Sequence, residues 1–294
     1  MSGTITVGLD GSPESRAAAE WAAREAKLRG LPLKVLHVWE PVPEPVVQAP
    51  LLGAGTGQRW SERIPREVTE GLRLRHPGLQ VTAEVLTGRP GEVLGEAGRS
   101  TELLVLGSRG LSGIGGFLVG SVGLAVVAHA ECPVILVRAR EQAADEHERD
   151  PVGIPSAATP YRPVVLGLDT GHLDASVIEF AFDAAARRGT GVRAVHGWKP
   201  SPYDLYGGDD VVRRETTALT EALLPWREKY PSVDVVEESR SGSPAGHLIS
   251  ASHEASLVVV GRRIRRSPIG AHIGPVTHAV LHHAAAPVAV VAHD

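Results

Sequence analysis

Several things are scarce in this chain, and each scarcity narrows what it can be. A single cysteine, Cys132, stands among 294 residues, so no intrachain disulfide can form and no four-cysteine zinc site can be assembled. No apolar run reaches the roughly 18 residues that a membrane-spanning helix needs. The opening MSGTITVGLDGS lacks the basic stretch and apolar segment of a secretory leader. Positive charge is not in excess, because 30 Lys and Arg stand against 34 Asp and Glu, for a net charge of −4. A phosphate backbone is gripped by a basic face, so a general nucleic-acid binder is set aside. Membrane insertion and secretion are set aside with it, and a cytoplasmic protein is expected. What is present is 43% hydrophobic and 22% charged residues, the proportions of a packed globular chain rather than a disordered one.

The sequence is also one unit written twice. Val7-Gly8-Leu9-Asp10 returns as Leu166-Gly167-Leu168-Asp169, and His37-Val38-Trp39 returns as His196-Gly197-Trp198, both offset by 159. Thr87-Gly88-Arg89-Pro90 returns as Ser241-Gly242-Ser243-Pro244 at an offset of 154. Leu104–Gly107 and Cys132-Pro133-Val134 recur at 154 as well, in Val258–Gly261 and Ala286-Pro287-Val288. Five ordered matches with one change of offset indicate a tandem duplication. The first copy carries five extra residues between positions 39 and 87, expected in the Pro/Gly-rich stretch after Trp39. The expected division is a first domain at 1–139, a charged and proline-rich linker at 140–161, and a second domain at 162–294.

Within the first copy strands and helices alternate. Strands are expected at Ile5–Leu9, Leu33–Val38, Val81–Leu86, Leu103–Leu106 and Val134–Val137. Ser12-Pro13 starts a helix that Gly30 closes, and further helices are expected at Glu62–Arg75, Gly91–Arg99 and Ser121–His129. Short apolar strands that alternate with helices predict a parallel sheet covered on both faces. With right-handed crossovers and one reversal after the third strand, the order is 3-2-1-4-5. Strands one and four are then neighbours, and their carboxyl ends form the switch point where such sheets bind ligands.

The residues at that point are unusual. Asp10-Gly11-Ser12 follows strand one, and a glycine-rich run from Gly107 to Gly120 follows strand four, leading into a helix at Ser121. Main-chain N–H groups at that helix start, with the Ser121 hydroxyl, would suit a phosphate, and Arg109 would add a charge-assisted contact. A flexible surface loop is the plainer reading of the glycines. Asp10 can likewise be only a turn or cap residue. A lysine-bearing P-loop is absent.

The spacing Gly107-x2-Gly110-x9-Gly120-Ser121 resembles the G-x2-G-x9-G-[ST] nucleotide signature of the universal stress protein family. VGLDGS near the start, the TGRP turn and the CPVILVR strand are similar too, and the likeness covers both halves, as in tandem-domain actinobacterial members. The resemblance implies two Rossmann-like domains, similar to adenine nucleotide α-hydrolases, that bind ATP, with Mg2+, at the switch point. Carried onto this chain, it places Gly8 and Asp10 near ribose and adenine, and Val38 at the adenine edge. Gly107, Ser108, Arg109 and Gly110 would line ribose and phosphates, and Gly120, Ser121 and Val122 the triphosphate. It also implies association through the last strand, as a homodimer or as an intrachain pseudo-dimer in which Val134–Val137 meets Val288–Val291.

The second copy departs from this pattern. Gly167, Asp169, Gly261 and Gly274 keep their places, but Ile264 replaces the second glycine of the signature and Pro275 replaces the Ser. Proline at the first helical position lacks the N–H that a phosphate would use, so weak or absent nucleotide binding is expected there. The arginines after Gly261 either compensate, are solvated or meet a partner. His278-x3-His282 has metal-ligand spacing, but the first copy has no counterpart, and exposed helical histidines are expected, with no metal. His37 and His196 are expected as hydrogen-bonded structural residues, Trp39 and Trp198 as packing, and Cys132 as buried.

A site of main chain, glycines and one aspartate offers no base to activate water. A nucleotide-responsive regulator acting on an unidentified protein partner in stress or growth arrest is therefore the leading expectation. No catalytic residue is assigned, and any activity would be slow hydrolysis or self-phosphorylation at Ser112 or Ser121. The alternative is an interaction module without nucleotide. An ATP-using transferase ranks last, because VGLDGS stands where an SGGxDS-like loop would be needed.

Overall fold

The computed structural model describes residues 3–40, 54–108, 119–199, 208–264 and 273–294. Two compact units emerge, Met1–Glu141 and Gln142–Asp294. The first runs β1 (Ile5–Leu9), α1 (Pro13–Arg29), β2 (Leu33–Trp39), α2 (Ala54–Arg75), β3 (Val81–Thr87), α3 (Pro90–Ala97), β4 (Leu103–Ser108), α4 (Ser121–His129) and β5 (Val134–Arg138). The second repeats it as β6 (Val164–Leu168), α5 (Ala175–Arg188), β7 (Val192–Trp198), α6 (Gly208–Lys229), β8 (Val235–Ser241), α7 (Pro244–Ala251), β9 (Leu257–Arg263), α8 (Pro275–His283) and β10 (Val288–His293). Among the described residues, no helix is long and apolar enough to cross a membrane.

In each unit the strands are parallel and hydrogen-bond in one order, β3-β2-β1-β4-β5 in the first and β8-β7-β6-β9-β10 in the second. The reversal after the third strand sends two helices to each face. In the first unit α1 packs with α2 against one face, and α3 packs with α4 against the other. The inner strands are buried throughout: every residue of β1 and β5 is buried, with Ile5, Leu33, Leu36, Leu103, Leu104 and Ile135 among the largest fully buried side chains. Both faces being covered explains why these strands read as unbroken apolar runs rather than alternating ones.

The helix ends follow local chemistry. The Ser12 hydroxyl caps α1 by accepting from the Ser15 N–H at 3.1 Å, Pro13 takes a position where its missing N–H costs nothing, and Gly30 closes the helix at φ 66°. In the second unit Asp174 and Gly189 do the same for α5. One helix begins earlier than expected: α2 starts at Ala54 rather than Glu62. Gly55 and Gly57 read as loop residues in the sequence, yet both lie in its first turns. The α2 and α6 helices are in repeat register, so the five extra residues of the first copy fall in 40–53, against 199–207 in the second copy. The stretch 41–53, where a long loop was expected, lies outside the described residues.

The segment expected as a linker has a fold of its own, and from Gln142 on it groups with the second unit. Isolated antiparallel bridges join His147 to Tyr161 and Arg149 to Pro155, and the Asp150 carboxylate accepts the N–H groups of Val152 and Ile154 at 3.0 and 2.7 Å. Glu146, buried, lies 4.0 Å from the buried guanidinium of Arg188, which also sits 5.7 Å from the centre of the Tyr161 ring. Order here comes from single side chains rather than from a repeating apolar pattern, which is why composition alone suggested a connector. Removing one partner of a buried ion pair leaves the other charge uncompensated. Glu146→Ala is therefore expected to destabilise the second unit by about 3 kcal/mol. It should also open 142–161 to limited proteolysis; urea unfolding and cleavage mapping of the full chain check both.

Candidate functional site

β1 and β4 lie side by side, with Ile5 opposite Leu103 and Val7 opposite Val105. The chain leaves their carboxyl ends toward opposite faces, and a cleft of about 240 Å3 opens there. Leu36, Val38, Leu94 and Leu106 form an apolar slot, Asp10 and Ser12 stand at one rim, and Gly120, Ser121 and Val122 stand at the other. Of the residues expected at the site, Gly8, Asp10, Val38, Gly107, Gly120, Ser121 and Val122 all line this cleft. Ser108 does not; it is buried at the end of β4, and its hydroxyl finds no hydrogen-bond partner among the described residues. Arg109 and Gly110 lie outside the described residues, as does Ser112.

The glycines are there for different reasons. A β-carbon on Gly8 would come within 2.6 Å of Leu106 Cδ2. On Gly107 it would meet the backbone of Glu14 and Ser15 at 2.6–2.8 Å, so this glycine lets the first turn of α1 lie directly on β4. On Gly120 it would meet no described residue within 4 Å, and the residue has φ −61° and ψ 156°, which any amino acid adopts. Among the described residues nothing requires a glycine at 120. The open space lies where α4 begins, and no side chain caps that helix. The first-turn N–H groups of Ser121, Val122 and Gly123 therefore receive no acceptor from the N-cap side chain, and all three residues line the cleft.

Asp10 has the turn role considered for it and also lines the cleft. Its Oδ1 accepts the Ser12 N–H at 3.0 Å and the Ser12 hydroxyl at 2.5 Å, with Gly11 at φ 84°, which sets up the α1 cap while the residue faces the cleft. His37 Nδ1 lies 2.7 Å from the Leu9 carbonyl and ties β2 to the end of β1, the structural role expected. The slot residues Leu36, Leu94 and Leu106 were not singled out from sequence. Leu94 carried a usable signal, being the buried leucine of a short helix that starts beside the TGRP turn.

The second domain has the same cleft, lined differently. Gly167, Asp169, Gly261 and Gly274 line a cavity of about 370 Å3 with Val195, Leu248 and Val260. In repeat register Val195 and Val260 stand for Leu36 and Leu106, which widens the slot. The α5 helix begins at Ala175, three residues later than α1 does in register, so the counterpart of its first turn is unwound. Asp169 uses both carboxylate oxygens within its own loop: Oδ1 accepts the Gly171 N–H at 3.0 Å, and Oδ2 lies 3.1 Å from His172 Nδ1. Beside Gly261, where the first domain has helix backbone, stands the His293 imidazole, 2.8 Å from the place of a β-carbon. His293 is 3.8 Å from Asp174. Burial works to raise the Asp174 pKa, but the hydroxyl and N–H of Ser176 together with His293 hold it below the usual value. Pro275 at the start of α8 removes one N–H donor, and the Thr277 hydroxyl is spent on the Gly261 carbonyl at 2.9 Å.

Other candidates resolve into structure. The rings of His278 and His282 are 4.4 Å apart; burial, and then the neighbouring His282, lower the His278 pKa. Among the described residues no group of three or more His, Cys, Asp or Glu could hold a metal ion. His196 bonds the Leu168 carbonyl, and Trp198 donates to Ser239 Oγ at 3.1 Å. Cys132 is half-buried rather than fully buried, and burial pushes its thiol up to about 11, far from a reactive thiolate.

Comparison with known proteins agrees with the duplication. A model of the universal stress protein family matches residues 1–138 and again 160–292. A universal stress protein of Mycobacterium tuberculosis is 35% identical over 303 residues, covering 97% of this chain and 96% of its own. Another from that organism is 33% identical over 317 residues, covering 97% and 94%. The crystal structure of a universal stress protein from Archaeoglobus fulgidus superposes over 100% of both chains with a TM-score of 0.71 at 18% identity, a likeness of fold.

The two glycines of the first cleft separate experimentally. Gly107→Ala drives a β-carbon into helix backbone and is expected to cost about 2 kcal/mol. Gly120→Ala enters open space and should cost about 1 kcal/mol or less. Urea denaturation of the two variants measures the difference.

Proposed function

Since this chain belongs to the universal stress protein family, we propose that its first domain binds ATP with Mg2+ and serves as a nucleotide-responsive regulator in stress or growth arrest. The observation that carries this reading is the open space over Gly120, set between an uncapped helix start and an apolar slot. The slot of Leu36, Val38, Leu94 and Leu106 has the flat apolar character that suits an adenine ring. Asp10 is placed to accept from ribose hydroxyls. The N–H groups of Ser121, Val122 and Gly123, with the Ser121 hydroxyl, suit phosphate oxygens. Arg109 and Gly110 would join them from the loop after β4.

A magnesium ion, when bound, supplies charge neutralisation to the phosphates, and Asp10 is the site residue that would help to hold it. Asp10 and Glu14 are the carboxylates among the described lining residues, and the reading is of binding rather than turnover. Binding then acts by mass action on the conformation or partner that the loaded domain prefers. The second domain fits a triphosphate poorly, because Pro275 removes a main-chain donor at the start of α8.

Native mass spectrometry of the gently purified chain, followed by titration with ATP and Mg2+, is expected to give one nucleotide per chain. Gly120→Val, which fills the open space, should weaken binding about tenfold or more with little change in thermal stability. Absence of binding at any loading would overturn the proposal and leave an interaction module as the better reading. Two equivalent sites would overturn its restriction to the first domain.

A further inference from the structure

The second cleft is well formed but poorly suited to a nucleotide, and its lining says what else it suits. The cavity of about 370 Å3 lies within the range of small-molecule sites. Its inner wall is apolar, formed by Leu168, Val177, Val195, Leu248 and Val260. At the mouth two carboxylates are satisfied inside the domain, Asp169 by Gly171 and His172, and Asp174 by Ser176 with His293 nearby. Neither His172 nor His293 has a counterpart in the first domain, where Pro13 and Ala139 hold the equivalent positions. Arg263 differs from all of these. It lines the same cavity, is exposed, and has no hydrogen bond or ion pair among the described residues.

We propose that the second-domain cleft binds a small amphipathic monoanion, with a flat apolar body in the slot and a single carboxylate on Arg263. Charge balance selects the ligand. Among the described lining residues one guanidinium is unpaired, and it neutralises one carboxylate with the planar two-oxygen geometry that arginine favours. Two further carboxylates in the lining repel a phosphate dianion or a polyphosphate. The proline at the helix start removes one main-chain donor that could offset that repulsion. Asp169 is held within its own loop by Gly171 and His172. What remains among the described residues is an apolar slot, wider than that of the first domain, with one available positive charge. The inference is independent of what the first cleft holds.

Indole-3-carboxylate and its uncharged analogue indole-3-carboxamide serve as probes on the full chain, read by saturation-transfer NMR and calorimetry. The carboxylate is expected to bind at one site per chain at least about tenfold more tightly than the amide. Arg263→Gln should abolish that preference, and Arg263→Lys should restore part of it. Val195→Leu with Val260→Leu, which reinstates the first domain's leucines, should weaken both probes. Saturating ATP and Mg2+ should not displace the carboxylate. The proposal is overturned if acid and amide bind alike, if Arg263→Gln binds as the parent does, or if neither probe binds. It is equally overturned if ATP displaces the probe, or if AMP binds the second cleft more tightly than the carboxylate.

Discussion

The close approach of α1 to β4 over Gly107 is the constraint on which the first site depends. Helix backbone lies within 2.8 Å of where any larger residue would place its first side-chain atom. That contact fixes the first turn of α1, whose cap is Ser12, whose N–H and hydroxyl in turn hold Asp10. The distance between β4 and α1 thus sets the rim of the cleft. The opposite rim, at Gly120, is set independently by where α4 begins. A site with two independently built edges can lose one without losing the other, and the second domain is the example. Its sheet is intact, yet its helix has retreated by a turn and an imidazole stands in the vacated place.

Much of this was legible in the sequence because it rests on local rules. The duplication, the strand and helix alternation, and the Ser12-Pro13 start with its Gly30 stop are all encoded within a few residues of where they act. The cleft residues were legible for a different reason: a parallel sheet that reverses direction brings the ends of its first and fourth strands together whatever their sequence. Gly107 and Gly120 show where this stops. They are the same letter in one motif, but the first makes room for a helix 92 positions earlier in the chain and the second adjoins open space. Only tertiary contacts distinguish them. The same holds for the slot leucines, which look like any other core leucine until the layers are assembled. Gly55 and Gly57 mark the limit of propensity, since their helix continues through them.

Comparison of the two domains separates what maintains the fold from what maintains the site. The inner strands β1, β4, β5 and β6, β9, β10 remain largely apolar in both copies, and β1 pairs β2 in the same register as β6 pairs β7. The changes gather at helix starts and strand ends: Pro13 to His172, Ser121 to Pro275, Ala139 to His293. These positions contribute little to the buried layers and much to the rim. A duplicated domain can therefore change its ligand chemistry at small cost to stability, provided the sheet and its covering helices stay matched.

The fold of 142–161 determines where this chain can be divided. A break placed by composition, after the proline-rich stretch at 161, would separate Arg188 from Glu146 and leave an arginine with a fully buried side chain facing water. A break at the boundary between the compact units, after Glu141, keeps that pair together. The portable second half therefore begins about twenty residues before its first strand. Any recombination that moves it intact into another protein must carry the stretch that looks, by composition, like the most dispensable part of the sequence.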